Sequence, residues 1–89
     1  MISTKIMIIN KLGLHARAAA KLVSTTATFA CQIKAGANGR LIDGKSIMAV
    51  MMLAASKGTE LELQFDGDDE AQACDAVCAL INNRFDEAE

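Results

Sequence analysis

The sequence has no tryptophan, no tyrosine and no proline, and among its 89 residues only three phenylalanines and a single histidine. With so few aromatic rings to stack bases, and a pI near 5.3, nucleic acid is not an expected partner. No apolar run approaches the ~18 residues needed to cross a bilayer. Met1-Ile2-Ser3-Thr4-Lys5 lacks the charged start and apolar core of a signal peptide. The expectation is a cytoplasmic protein with no membrane insertion. Cysteine is scarce too: three, an odd number, without framework spacing. Cys74 and Cys78 are four apart, but no histidine or further cysteine lies near enough in sequence to complete a zinc site. Small packed thiols and no metal are expected. Acidic residues are absent from the first 42 positions, which carry Lys5, Lys11, Arg17, Lys21, Lys34 and Arg40; from Asp43 onward eleven acids face Lys45, Lys57 and Arg84. The halves therefore carry +6 and −8, an asymmetry that points to an anion or an acidic partner.

Apolar residues make up 52% of the chain, which excludes disorder. A chain of this length reads as one domain over 1–89, with no room for a deep internal cavity. Its chemistry should lie on the surface.

The pattern along the chain is β-α-β-β-α-β-α. Residues 2–9 are rich in β-branched and apolar types and read as a strand. Residues 16–27 read as a helix with Ala16, Ala19, Ala20, Val23 and Ala27 on its packed face. Residues 30–36 read as a strand, and Asn38-Gly39 is a strong hairpin signal before a return strand at 40–42. Ser46 is a preferred N-cap for a short helix over Ile47–Ala55, with Gly58 as a stop. Residues 60–66 alternate strictly and need cover on one face only. The acids at 68–70 open a last helix with Ala73, Cys74, Val77, Ile81 and Phe85 as its stripe, and residues 86–89 read as a fraying tail. The expected fold is α+β, an open-faced β-sandwich: a four-stranded antiparallel sheet with three helices on one face.

One segment carries chemistry: Gly13-Leu14-His15-Ala16-Arg17. The lone histidine lies where a loop enters a helix. A helix N-terminus presents free N–H groups and partial positive charge, so it favours a neutral, nucleophilic imidazole and welcomes an anion placed on it. Arg17 adds a planar cation suited to phosphoryl oxygens. Gly13 permits a close backbone approach. Spacing alone leaves two readings open: a phosphoryl-accepting site, or a boundary histidine beside a solvated arginine.

Gly13-Leu14-His15-Ala16-Arg17, followed by Ala18-Ala19-Ala20, resembles the active-site signature of the HPr family, the phosphocarriers of the bacterial phosphotransferase system. Gly44-Lys45-Ser46-Ile47-Met48-Ala49-Val50-Met51-Met52-Leu53-Ala54 resembles that family's regulatory-serine segment. Lys57-Gly58-Thr59 and the alternating strand follow at family spacing, so the resemblance covers essentially the whole chain. Ala18 stands where the family usually has proline. Asn10-Lys11-Leu12-Gly13 and the ending Ile81–Glu87 are more similar to NPr, the nitrogen-branch carrier.

The resemblance implies a relay with no cofactor. Phospho-enzyme I would charge His15, on Nδ1 in this family, and phospho-His15 would donate to a histidine of an enzyme IIA. Arg17, with the backbone about Gly13 and Ala16, would stabilise the phosphoryl group. Ser46 would be a target for an HPr kinase/phosphorylase. Ala20, Lys21, Lys45, Ile47, Met48 and Met51 would dock partners, and the chain would act as a monomer. The alternative is a regulatory binding module switched at Ser46, with His15 idle.

Overall fold

The computed structural model describes residues 1–88. Its elements run β1 (Ile2–Met7), α1 (Ala16–Thr26), β2 (Gln32–Ala37), β3 (Arg40–Asp43), α2 (Ile47–Met52), β4 (Glu60–Asp66) and α3 (Glu70–Asn82). The sheet order is β1-β4-β2-β3, and every pairing is antiparallel. The register sets Ile6 opposite Leu61 and Ile33 opposite Phe65. Period-2 alternation in β4 buries Leu61, Leu63 and Phe65 and turns Glu60 and Asp66 to solvent. The helices cover the buried face: α3 packs on β1 and β4, α2 on β3, and α1 lies against both helices. This is the α+β open-faced sandwich the sequence pattern implied.

The details differ where local pattern was ambiguous. The packed face of α1 is Ala18, Ala19, Leu22 and Thr26, about a third of a turn from the expected one. Four nearly consecutive alanines give no amphipathic contrast, so the bulk of Leu22 sets the phase. Thr26 is buried because its hydroxyl donates to the Gly44 carbonyl at 2.8 Å. Ala16 and Ala20 are consequently exposed. Helix α2 stops at Met52 rather than Ala55: Ala54 turns left-handed at φ 51°, and the Ala55 carbonyl is drawn to the Leu14 N–H at 2.8 Å. Helix α3 stops at Asn82. Phe85 is fully buried, but from a left-handed turn at Arg84–Asp86 and not from the helix. Of the expected fraying tail, Glu89 lies outside the described residues, and Asp86 and Glu87 are tied back to the body of the fold (below).

Cys31 is buried and Cys74 and Cys78 are half-buried, all as free thiols. Burial pushes the Cys78 thiol up to about 11 and also raises Cys31. No helix among the described residues is long and apolar enough to cross a membrane.

Asp69, just before α3, clamps the far turn of the molecule. Its carboxylate accepts from the Ala30 N–H at 2.8 Å and the Cys31 N–H at 2.9 Å. The Ala30 hydrogen bond is the main cause holding its carboxyl below the usual range, against a smaller effect of burial. A group whose folded pKa is depressed stabilises the fold above its unfolded value, near pH 4. That stability is lost as pH falls through the lowered folded value. Asp69→Ala should therefore lower the melting temperature by several degrees at pH 7. The gap to wild type should close on acidification below about pH 4; a gap independent of pH would contradict the clamp.

Candidate functional site

The His15 loop is built by backbone constraint. Asn10 opens the turn: its carbonyl accepts from the Gly13 N–H at 3.2 Å, and its Nδ2 donates to the Gly13 carbonyl at 2.8 Å. Gly13 sits at φ 65°, a left-handed conformation that L side chains rarely adopt. It also passes so near the end of α2 that a Cβ would lie 2.4 Å from the Ala55 carbonyl oxygen. Glycine is thus required twice over. Leu14 is buried, with its N–H on Ala55, and the chain then delivers His15 in extended geometry (φ −74°, ψ 179°) at the N-cap of α1.

His15 makes no side-chain capping bond. His15 thus occupies the helix boundary by its backbone, while its imidazole is not spent on capping. Its side chain is 28% exposed in an open cleft of about 830 Å³, lined also by Lys11, Arg17, Lys21, Asp86 and Glu87. Ala16 and Arg17 form the exposed first turn of α1, whose N–H groups have no acceptor within the helix. Arg17 and Lys21 rise from the same helix toward the cleft. An anion on the imidazole would meet the helix end and the guanidinium together.

Two residues of this site carried no sequence signal as site residues. Asn10 is fully buried, and its Nδ2 also donates to Glu87 Oε1 at 2.9 Å; its Oδ1 is buried with no hydrogen-bond partner among the described residues. Glu87 Oε2 bonds Nε2 of His15 across 72 positions of sequence. The Asn10 hydrogen bond is the largest cause holding the Glu87 carboxyl below its usual range; His15 and the Arg17 charge act in the same direction. The reading of a helix end alone thus omitted a carboxylate in direct contact with the ring. Asp86 lies 3.6 Å from Lys21 Nζ. The first 42 positions lack acids along the chain, but the fold brings Asp86 and Glu87 back to them.

The other candidate residues lie on α2 and its entry. Ser46 is the N-cap: its Oγ accepts from the Ala49 N–H at 3.3 Å. Only Val50 of α2 is buried, whereas Ile47, Met48, Met51 and Met52 are exposed by 40%, 70%, 42% and 64%. This leaves an exposed apolar surface on a short helix. Lys45 is not part of the His15 cleft. Its Nζ donates to the Phe29 carbonyl at 2.6 Å, and it lines a separate hollow with Cys31 and Asp43.

Comparison with known proteins agrees with this geometry. Residues 2–83 match the family described as PTS-HPr, PTS HPr component phosphorylation site. The chain is 58% identical to phosphocarrier protein HPr of Pseudomonas aeruginosa, with both chains covered completely. It superposes on the crystal structure of HPr-C-His from Thermoanaerobacter tengcongensis with a TM-score of 0.96 and 40% identity, again over both full chains. A crystal structure of an HPr dimer from the same organism matches at a TM-score of 0.78 and 41% identity, covering 98% of this chain and 100% of that one. A lone histidine at a helix end, in a fold and a full-length sequence shared with these relatives, places the chain in the HPr family of phosphocarriers of the bacterial phosphotransferase system.

Proposed function

We propose that the 89 residues act as one HPr-like domain that relays a phosphoryl group, accepting it from phospho-enzyme I on His15 and passing it to a histidine of an enzyme IIA. The observation that carries this reading is the uncapped imidazole of His15, exposed in a cleft with Arg17 and Lys21 at the N-terminus of α1. The Gly13 turn fixes the loop, the first-turn N–H groups at Ala16 and Arg17 face the developing charge, and Arg17 grips the equatorial oxygens. No cofactor is needed, because the donor's phosphorus–nitrogen bond supplies the energy. Incubation with phosphoenolpyruvate and enzyme I should place acid-labile, base-stable phosphate on the peptide containing His15. No label from that incubation, with acid-stable phosphate on Ser46 after treatment with an HPr kinase/phosphorylase, would favour the regulatory module switched at Ser46.

The partner face comprises Ala20, Lys21, Ile47, Met48 and Met51, with Lys45 at its margin. Flexible Met side chains suit a surface that must accept two partners in turn, and Lys21 and Arg17 would steer acidic ones. Met48→Glu should slow transfer from enzyme I by about tenfold or more, the rate equivalent of ~1.4 kcal/mol. The melting temperature should hold, since Met48 is 70% exposed. An unchanged transfer rate would remove α2 from the docking surface.

Ser46 adds a regulatory site for an HPr kinase/phosphorylase. A phosphate on the N-cap is welcome to the helix dipole but puts negative charge on the face that acidic partners approach. The chain works as a monomer in this scheme. The subtype, HPr proper or NPr, turns on which enzyme IIA takes the phosphoryl group.

A further inference from the structure

The end of the chain adopts a costly conformation for a purpose the relay as described leaves unexplained. After α3, Arg84, Phe85 and Asp86 all take left-handed backbone angles, at φ 56°, 53° and 62°. L-residues pay to enter that region, a bulky aromatic most of all, and they stay there only where their surroundings hold them. The holding contacts are visible. Phe85 is fully buried in the core, Asn83 Nδ2 donates to Asp86 Oδ1 at 2.7 Å, and Asp86 pairs with Lys21 at 3.6 Å. The outcome of the turn is the position of one carboxylate. Glu87 Oε1 accepts from the buried Asn10 amide at 2.9 Å, and Oε2 meets Nε2 of His15. Asn10 is in turn fixed to the Gly13 carbonyl, so loop, imidazole and tail form one hydrogen-bonded unit.

We propose that Glu87 is a positioning residue of the relay: it holds the proton of His15 on Nε2, so that Nδ1 is the nucleophile and later the atom from which a neutral imidazole leaves. The proposal rests on the reading of His15 as phosphoryl acceptor. In the uptake step the Nδ1 lone pair attacks phosphorus. The Nδ1–P bond forms, the donor's N–P bond breaks, and that electron pair returns to the donor nitrogen. The ring then carries positive charge shared with Nε2–H, and the carboxylate beside it offsets that charge. In the donation step the Nδ1–P bond breaks as the acceptor nitrogen attacks, and its electron pair returns to Nδ1. The departing ring is neutral because Nε2 has kept its proton; without that proton it would have to leave as an imidazolate, a far poorer leaving group. An orienting carboxylate behind a working imidazole is the same logic that fixes the tautomer of a catalytic or metal-bound histidine. Among the described residues, the charged groups about the ring are Lys11 from the loop, Arg17 and Lys21 from α1, and Asp86 and Glu87 from the tail. Asp86 is engaged by Lys21, and Glu87 is kept ionised chiefly by the Asn10 amide, so the carboxylate is charged across the working pH range.

The test uses the full chain with Glu87→Gln, which keeps an oxygen for the Asn10 amide, and Glu87→Ala, which removes both contacts. In the unphosphorylated wild type, nitrogen-15 NMR of the ring should show a protected, downfield Nε2 proton, and this signal should be lost in Glu87→Ala. After charging with phosphoenolpyruvate and enzyme I, spontaneous loss of phosphate from His15 is followed against pH. In Glu87→Gln the alkaline fall-off should begin about one pH unit lower, making loss roughly tenfold slower on that limb. A purely structural tail would leave this profile in place. Variants that fold, take label on His15 and keep the wild-type profile overturn the proposal. So do variants that charge faster with an unmoved profile, since the tail would then be only an obstruction. Absence of label on His15 in wild type would fail the relay reading itself, while the NMR signal would still report the contact.

Discussion

His15→Ala is expected to abolish phosphorylation by enzyme I and phosphoenolpyruvate, with label falling to background. The chain has no second histidine to substitute. Cys31 is buried with its thiol pushed up by that burial, and a phosphate on Ser46 would be an acid-stable ester, distinguishable by its chemistry. The variant should keep its fold. His15 caps nothing with its side chain, and the α1 bond it supplies, Ala19 N–H to the His15 carbonyl at 2.8 Å, belongs to the backbone. Loss of the contact to Glu87, a partly solvated pair, should move the melting temperature only slightly. Intact folding with no label is the outcome that ties the chemistry to one imidazole. Residual label of the acid-labile kind would dislodge His15 from that role.

The largest stability effect is expected at the loop that presents the imidazole. In Gly13→Ala the new Cβ would meet backbone on the α2 side: the Ala55 oxygen at 2.4 Å and Ser56 Cα at 2.8 Å. Neither can swing aside as a flexible side chain would. The left-handed angle adds about 1–2 kcal/mol, and separating the loop from α2 endangers the bond from the Leu14 N–H to the Ala55 carbonyl, worth about 1 kcal/mol. The total is on the order of 3 kcal/mol, a fall in melting temperature of roughly 10–20 °C for a chain of this size. Gly39→Ala separates the contributions, because Gly39 shares a positive φ (82°) but a Cβ there meets nothing within 4 Å. It should lose about 1–2 kcal/mol. Equal losses at the two glycines would show that the close approach of loop and α2 does not matter. Gly13→Ala should also depress phosphoryl uptake, since it moves the backbone that aims His15.

Much of this was visible in one dimension. Strict alternation in 60–66 located β4 within a residue, Asn38-Gly39 located the β2–β3 hairpin, and Ser46 located the start of α2. Each of those signals is local: a pleat period, a turn that needs positive φ, a hydroxyl that caps a helix. The phase of α1 was not legible, because alanines look alike from every side until Leu22 and Thr26 find partners in other elements. The end of α2 was not legible either. It is set by the Ala55 carbonyl reaching Leu14, some forty residues earlier in the chain.

The site divides in the same way. By itself the sequence placed the lone histidine at a helix end with a glycine before it and an arginine two residues on, because Gly13, His15 and Arg17 are neighbours; type and spacing left its role open, and the resemblance of the whole segment singled it out. Only the tertiary structure decided the charge around that imidazole. The basic and acidic halves look separate along the chain, yet the fold returns Asp86 to Lys21 and Glu87 to Asn10 and His15. Contacts across 72 positions leave no periodicity and no spacing to read. They exist because burial of Phe85 holds three strained residues in a left-handed turn, and that turn points the chain back at the histidine.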